Sequence, residues 1–183
     1  MRIVAGEWRG RKLVAPDGLQ TRPTADRTRE TLFSMLASRL GNFEGLRVAD
    51  LYAGSGALGL EALSRGAAHV SFVEKDRRAA AAIDTLARDW GQEGAQVSCA
   101  DALEWLARAA GGAPFDIVFL DPPYDAALLS EVGAALVRGA LLAPGARIYV
   151  EHRARDGLPT LPDGWQQLRD GRAGEVGYHL FAV

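Results

Sequence analysis

Four consecutive residues, Asp121-Pro122-Pro123-Tyr124, follow the apolar run Phe115–Leu120 and combine a carboxylate, two imino acids and an aromatic ring. The prolines stiffen the segment and remove two backbone N–H donors, so its carbonyls accept hydrogen bonds without local competition. Asp121 and the Pro122 carbonyl then make a two-acceptor fork for an amino group, and Tyr124 supplies a flat face on which a base stacks. An exocyclic base nitrogen is a poor nucleophile because its lone pair is delocalised into the ring. Gripping both N–H bonds pulls it toward tetrahedral geometry, and holding it about 3–3.5 Å from an electrophile is worth much of the barrier. A stacked base adds roughly 1–3 kcal/mol. The plainer reading, a stiff turn with a tyrosine facing solvent, would suit the same four residues in isolation. Their place after an apolar strand, two strand–helix units beyond a glycine loop, favours the chemical one.

That loop is Asp50-Leu-Tyr-Ala-Gly-Ser-Gly-Ala-Leu-Gly59, in which Gly54, Gly56 and Gly59 spell G-x-G-x-x-G and Glu74 lies 20 residues beyond Gly54. Glycines let a ligand approach the backbone and the carboxylate accepts ribose hydroxyls, so the pattern predicts an adenosine-bearing cofactor without choosing one. Two acids favour S-adenosylmethionine over NAD. Asp50 suits a ligand with an amino group and a sulfonium and would sit badly beside a pyrophosphate. Asp101 ends the third strand, where it can accept from an adenine amino group, cap the next helix, or do both. The expected cofactor contacts are Asp50, Ala53, Gly54, Gly56, Glu74, Asp101 and Ala102; the fork of Asp121, Pro122 and Tyr124 is the expected catalytic group.

The elements that must position these groups alternate. Strands are expected at Leu46–Tyr52, His69–Glu74, Ala95–Cys99, Phe115–Asp121 and Arg147–Glu151. Helices are expected at Ser55–Arg65, Asp76–Trp90, Asp101–Ala110 and Ala126–Arg138. This rhythm predicts an α/β fold, a parallel sheet with helices on both faces. Before it, Arg2–Pro16 reads as two short β segments around Gly6–Gly10, and Thr24 can cap a helix with Leu32, Phe33, Leu36 and Leu40 on its apolar face. After it, Trp165–Arg169 and Glu175–Val183 read as a closing antiparallel hairpin turning at Asp170-Gly171. The expected division is a basic amino-terminal hairpin, residues 1–22, and a catalytic domain, residues 23–183.

Charge is uneven. Residues 1–29 carry 7 basic and 3 acidic side chains while the whole chain is at −2, so an anionic partner is expected at the front. Trp8, Arg9, Arg11, Lys12, Arg22 and Arg27 are the expected RNA contacts, Arg pairing phosphates and Trp8 stacking an unpaired base; Arg29 extends the cluster. A charged, solvated edge is the plainer alternative. A lone cysteine, Cys99, excludes an intrachain disulfide, suits a cytoplasmic setting and reads as a small buried residue at a strand end. His69, His152 and His179 have no metal-ligand spacing, so no metal is expected. No apolar run reaches the roughly 18 to 20 residues of a membrane span.

Together the residues resemble the RsmD-type 16S rRNA guanine-N2 methyltransferases of bacteria. Phe119-Leu120 with Asp121–Tyr124 resembles the signature of amino-group methyltransferases generally. The narrower match is Arg2-Ile-Val-Ala-Gly6, Trp8–Leu13, Arg22–Arg27 with Glu30–Phe33, Gly59–Gly66 and Gly174–Phe181. The resemblance covers nearly the full chain, residues 153–173 matching less clearly. It implies a Rossmann-like class I methyltransferase with a seven-stranded sheet plus the amino-terminal hairpin, S-adenosylmethionine as cofactor, and a guanine in 16S rRNA of the small ribosomal subunit as substrate. A monomer is expected. An adenine-N6 nucleic-acid methyltransferase would share the Asp-Pro-Pro-Tyr segment but lacks room here for a target-recognition segment. An NAD-dependent oxidoreductase would leave that segment unexplained, and a non-catalytic RNA-binding subunit would not need Asp50, Glu74 and Asp121.

Overall fold

The computed structural model describes residues 1–13, 26–123 and 126–183, the side chains of residues 26, 27 and 126 excepted. Arg22, Thr24, Tyr124, the Arg27 side chain and the expected division near residue 22 lie outside the described residues.

Helix α1 (Asp26–Leu40) is followed by β1 (Arg47–Leu51), α2 (Ala57–Ser64), β2 (His69–Glu74), α3 (Arg77–Asp89), β3 (Ala95–Cys99), α4 (Ala102–Ala109), β4 (Phe115–Leu120), α5 (Ala126–Arg138), β5 (Leu142–Arg153), β6 (Gln166–Ala173) and β7 (Val176–Ala182). Local chemistry sets several of these boundaries. Asp76 caps α3 by accepting from Arg78 N (2.8 Å) and Ala79 N (3.0 Å), and Asp101 caps α4 through Leu103 N (2.8 Å). Helix α1 buries Leu32, Phe33 and Leu36 at helical spacing and stops at Gly41, whose φ is +82°. Helix α2 is buried on every side, Glu61 included.

The seven strands form one sheet in the order β3-β2-β1-β4-β5-β7-β6. β3 through β5 run parallel, and β7 and β6 close the sheet antiparallel. The fold is α/β and Rossmann-like, with two apolar layers. Val48, Phe72, Ile117, Phe119 and Tyr149 face α1, α2 and α3. Ala49, Val73, Val118, Leu120 and Val150 face α4 and α5. Chain order reverses between β1 and β4, so the crevice for ligands opens beyond their carboxyl ends.

Two expectations need correction. The closing hairpin turns at Gly174-Glu175, not Asp170-Gly171. Gly174 has the left-handed backbone (φ +62°) that the turn demands, whereas Gly171 lies inside β6, where a Cβ would stand 2.3 Å from the Tyr178 ring. β5 begins at Leu142 because its pairing with β4 shifts register across Pro144-Gly145, which hid its first residues. At the front, among the described residues, the two expected β segments pair antiparallel across Arg2 and Lys12, with Ile3 N donating to Arg11 O (3.0 Å) and Leu13 N to Met1 O (3.1 Å). That arm shares the core, burying Ile3, Trp8 and Leu13.

Candidate active site at the carboxyl ends of β1, β2 and β4

The loop after β1 is held by its own acids. Glu74, at the end of β2, accepts from Gly54 N through Oε2 and from Asp76 N through Oε1, both at 2.8 Å. Asp50, in β1, is 3% exposed and accepts from Gly59 N at 2.8 Å. Gly54 and Gly56 adopt left-handed backbone, φ +55° and +72°. Gly59 lets α2 press on β2, since a Cβ there would lie 2.2 Å from the Phe72 ring. Tyr52 is also left-handed (φ +64°), a strained conformation for a bulky residue and one that clusters at functional sites. Ala53 ties the loop to β2 through Val73 O (3.1 Å) and accepts from Gly56 N (2.7 Å). Burial pushes the Asp50 carboxyl up to about 7, the Gly59 N–H opposes this, and the Glu74 charge adds to it. Asp101 makes both cap bonds through Oδ1, and Ala102 beside it is buried.

Asp121 emerges half-buried from β4 at the chain reversal, with Pro122 buried and Pro123 exposed. β1 and β4 are neighbours in register, Asp50 beside Phe119 and Leu51 beside Leu120. Side chains alternate across a strand, so Asp121 returns to the face that carries Phe119. By the same alternation Asp50 and Glu74 share that face with Val48 and Phe72. The fold thus brings Asp50, Glu74 and Asp121 to one face, at the carboxyl ends of three adjacent strands. A methyl donor with a cationic centre and a ribose fits this donor set, which offers carboxylates and a glycine-lined backbone.

The amino-terminal arm divides the expected RNA contacts. Arg9, Arg11 and Lys12 are exposed. Trp8 is fully buried, its ring 5.0 Å from that of Trp90, so it is a core residue and does not offer a face to RNA. The Arg11 guanidinium covers the other aromatic of this pair, 5.4 Å from the Trp90 ring centre. Arg29 is buried too; it donates to Arg2 O and stands 3.7 Å from Glu61.

The family model described as Conserved hypothetical protein 95 matches residues 1–182. Over 181 residues the chain is 44% identical to the Ribosomal RNA small subunit methyltransferase D of Escherichia coli, across 99% of this chain and 89% of that protein. The chain belongs to the RsmD family. A Haemophilus influenzae protein of the same name is 39% identical, across 99% of this chain and 93% of its own. The solved structure of yhhF from Escherichia coli superposes with a TM-score of 0.89 at 42% identity, over 100% of this chain and 97% of that one. A Thermus thermophilus 16S rRNA N2 methyltransferase (RsmC), solved with AdoMet and guanosine, gives a TM-score of 0.62 at 27% identity, over 90% of this chain and 45% of that one. The protein is a methyltransferase.

In this RsmD-family chain the residues that sequence reading missed are Glu61, Ser64, Tyr149 and Glu151. Glu61 accepts from Val4 N (2.8 Å), Ala5 N (3.0 Å) and Arg65 Nε (2.9 Å). Ser64 accepts from Trp8 N (3.0 Å) and donates to Ala5 O (2.6 Å). The arm is thereby stitched to α2, the helix that follows the glycine loop. A lone acid inside the apolar run Ala57–Leu63 was the available signal. One further reading changes, and one pair of side chains meets that sequence spacing did not link. Cys99 ends β3 as expected but is exposed. His152 and His179 meet, Nε2 to Nε2 at 3.0 Å, and burial followed by the His152 neighbour holds His179 below the usual imidazole range.

Proposed function

We propose that this protein transfers a methyl group from S-adenosylmethionine to the exocyclic N2 amino group of one guanine in 16S rRNA of the small ribosomal subunit. The observation that carries the reading is Asp121-Pro122 at the chain reversal, beside a glycine loop braced by Asp50 and Glu74. The names of its relatives support an rRNA substrate, and the AdoMet and guanosine of the RsmC structure support the cofactor and the base.

When bound, the cofactor supplies a methyl on a positively charged sulfur. Asp50 would answer the cofactor's positive charge, while Glu74, besides bracing the loop, would accept from the ribose. Asp101 would accept from the adenine amino group through Oδ2, which its capping bonds leave aside, and the buried Ala102 would line the adenine site. Gly54 and Gly56 let the ligand reach the backbone. The target base leaves its stack to enter the crevice, and Asp121 with the Pro122 carbonyl takes both N2 hydrogens. The nitrogen lone pair would then face the donor, and Asp121 would balance the positive charge that develops on nitrogen and take up the proton that the methylated amine sheds. Tyr124, outside the described residues, stacks the base. Arg9, Arg11 and Lys12, with Arg22 and Arg27, hold phosphates. Mapping methylated nucleosides in 16S rRNA of cells with and without this protein tests the reading. One N2-methylguanosine should vanish in its absence; an unchanged map would refute it.

A further inference from the structure

β5 carries a second buried acid toward the same site, and the proposed reaction gives it no role. Tyr149 and Glu151 lie two residues apart, and the Tyr149 hydroxyl donates to Glu151 Oε1 at 2.8 Å. Glu151 is 5% exposed and Tyr149 fully buried. In the β4–β5 register Phe119 pairs with Tyr149 and Leu120 with Val150. The next step sets Glu151 beside Asp121, one strand spacing of about 4.8 Å away. Alternation points both to the face of Phe119 and Tyr149, whose rings meet edge-on at 6.4 Å. The Tyr149 hydroxyl is pushed well above the usual phenol range by burial first, then by the Glu151 charge and hydrogen bond and the Asp121 charge. Both carboxylates therefore act on one phenol. The pair is fixed from behind, because Tyr178 pairs with Glu151 across β7 and packs its ring 6.3 Å from Tyr149.

Resting on the guanine-N2 reading above, we propose that Glu151 is a specificity-determining residue that accepts the N1–H of the target guanine, with Tyr149 positioning its carboxylate. Guanine presents N1–H and one N2 hydrogen side by side along its pairing edge, and the second N2 hydrogen turns toward N3. Asp121 and the Pro122 carbonyl take the two on N2, and Glu151, one strand over, takes the third. Adenine presents an N1 lone pair at that place, which a carboxylate repels. A site built to receive an N–H discriminates far more strongly than one that only fits a shape.

2-Aminopurine tests this, since it keeps the N2 amino group but replaces N1–H by a lone pair. Small subunits reconstituted with guanine or 2-aminopurine at the methylated position are compared as substrates for the wild type, Glu151→Gln and Tyr149→Phe. The wild type should strongly prefer guanine. Glu151→Gln, whose amide can donate to the N1 lone pair, should lose roughly 10- to 100-fold in kcat/KM on guanine and gain on 2-aminopurine. Tyr149→Phe should lose less on guanine, about 2- to 10-fold, and gain nothing on 2-aminopurine. An unchanged preference in Glu151→Gln overturns the assignment. A wild type equally fast on both bases overturns it as well, without any variant having to fold. Failure of the wild type to methylate the guanine subunits would instead count against the proposed function itself.

Discussion

Asp50 is a carboxylate kept from water whose pKa of about 7 belongs to the site without ligand. A cationic ligand placed beside it favours the ionised form. Binding S-adenosylmethionine near pH 6 to 7 should therefore release a proton. Calorimetry in buffers of different ionisation enthalpy should give buffer-dependent heats, and Asp50→Asn should abolish that dependence. The same shift bears on stability. The folded state binds this proton more tightly than the unfolded chain, so Asp50 costs stability progressively as pH rises from about 4 to about 7. Asp121 belongs to the other half of the chemistry. Asp121→Ala should leave cofactor affinity within a few-fold while turnover falls by orders of magnitude, measured by titration and methyl-transfer assay on one preparation. Gly56→Val would not probe the ligand, because its first Cβ atom would lie 2.9 Å from Ile83 of α3, at a φ of +72°.

The clamp between the arm and α2 dominates at the level of elements. Glu61 answers Val4 N–H, Ala5 N–H and two arginines from a fully buried position. Glu61→Ala would remove the buried carboxylate beside Arg29 and the acceptor of the Val4 and Ala5 N–H groups, so it should cost about 3–5 kcal/mol. Urea unfolding reads this, with Glu104→Ala in the exposed first turn of α4 as a surface control that should cost no more than about 1 kcal/mol. The boundaries of β2, β3 and α5 were legible in the residues because apolar runs, caps and glycines agree there. Those of β5 and β6 were not. Pro144-Gly145 reads as a loop but is a shift in register, and Gly171 reads as a turn but makes room for Tyr178. The glycine loop and Asp121 were legible since their residues are contiguous. Tyr149 and Glu151 were hidden because their significance comes only from strand order, which sets β5 next to β4. Trp8 misled for a related reason: its basic neighbours are exposed, while the ring itself turns inward onto Trp90.

Across the whole molecule charge is divided between an exposed basic arm and an acidic crevice. Neutralising Arg9, Arg11 and Lys12 together removes up to three phosphate contacts. It should raise the apparent KM for small subunits and flatten its salt dependence, each contact contributing about 0.7 to 0.9 to the log–log slope. Cofactor affinity should hold, because the stitches to α2 are made by the backbone of residues 4 to 8, Val4, Ala5, Glu7 and Trp8. A salt slope equal to that of the wild type would reduce the arm to a structural brace. The most direct measurement of the central claim uses purified small subunits from cells that lack this activity. They are incubated with the protein and S-adenosylmethionine carrying an isotopically labelled methyl, and the RNA is digested to nucleosides for mass spectrometry. The account predicts label in N2-methylguanosine alone, at one position, and none with Asp121→Ala. Label in N6-methyladenosine, or none in the RNA with an active cofactor-bound protein, would contradict it.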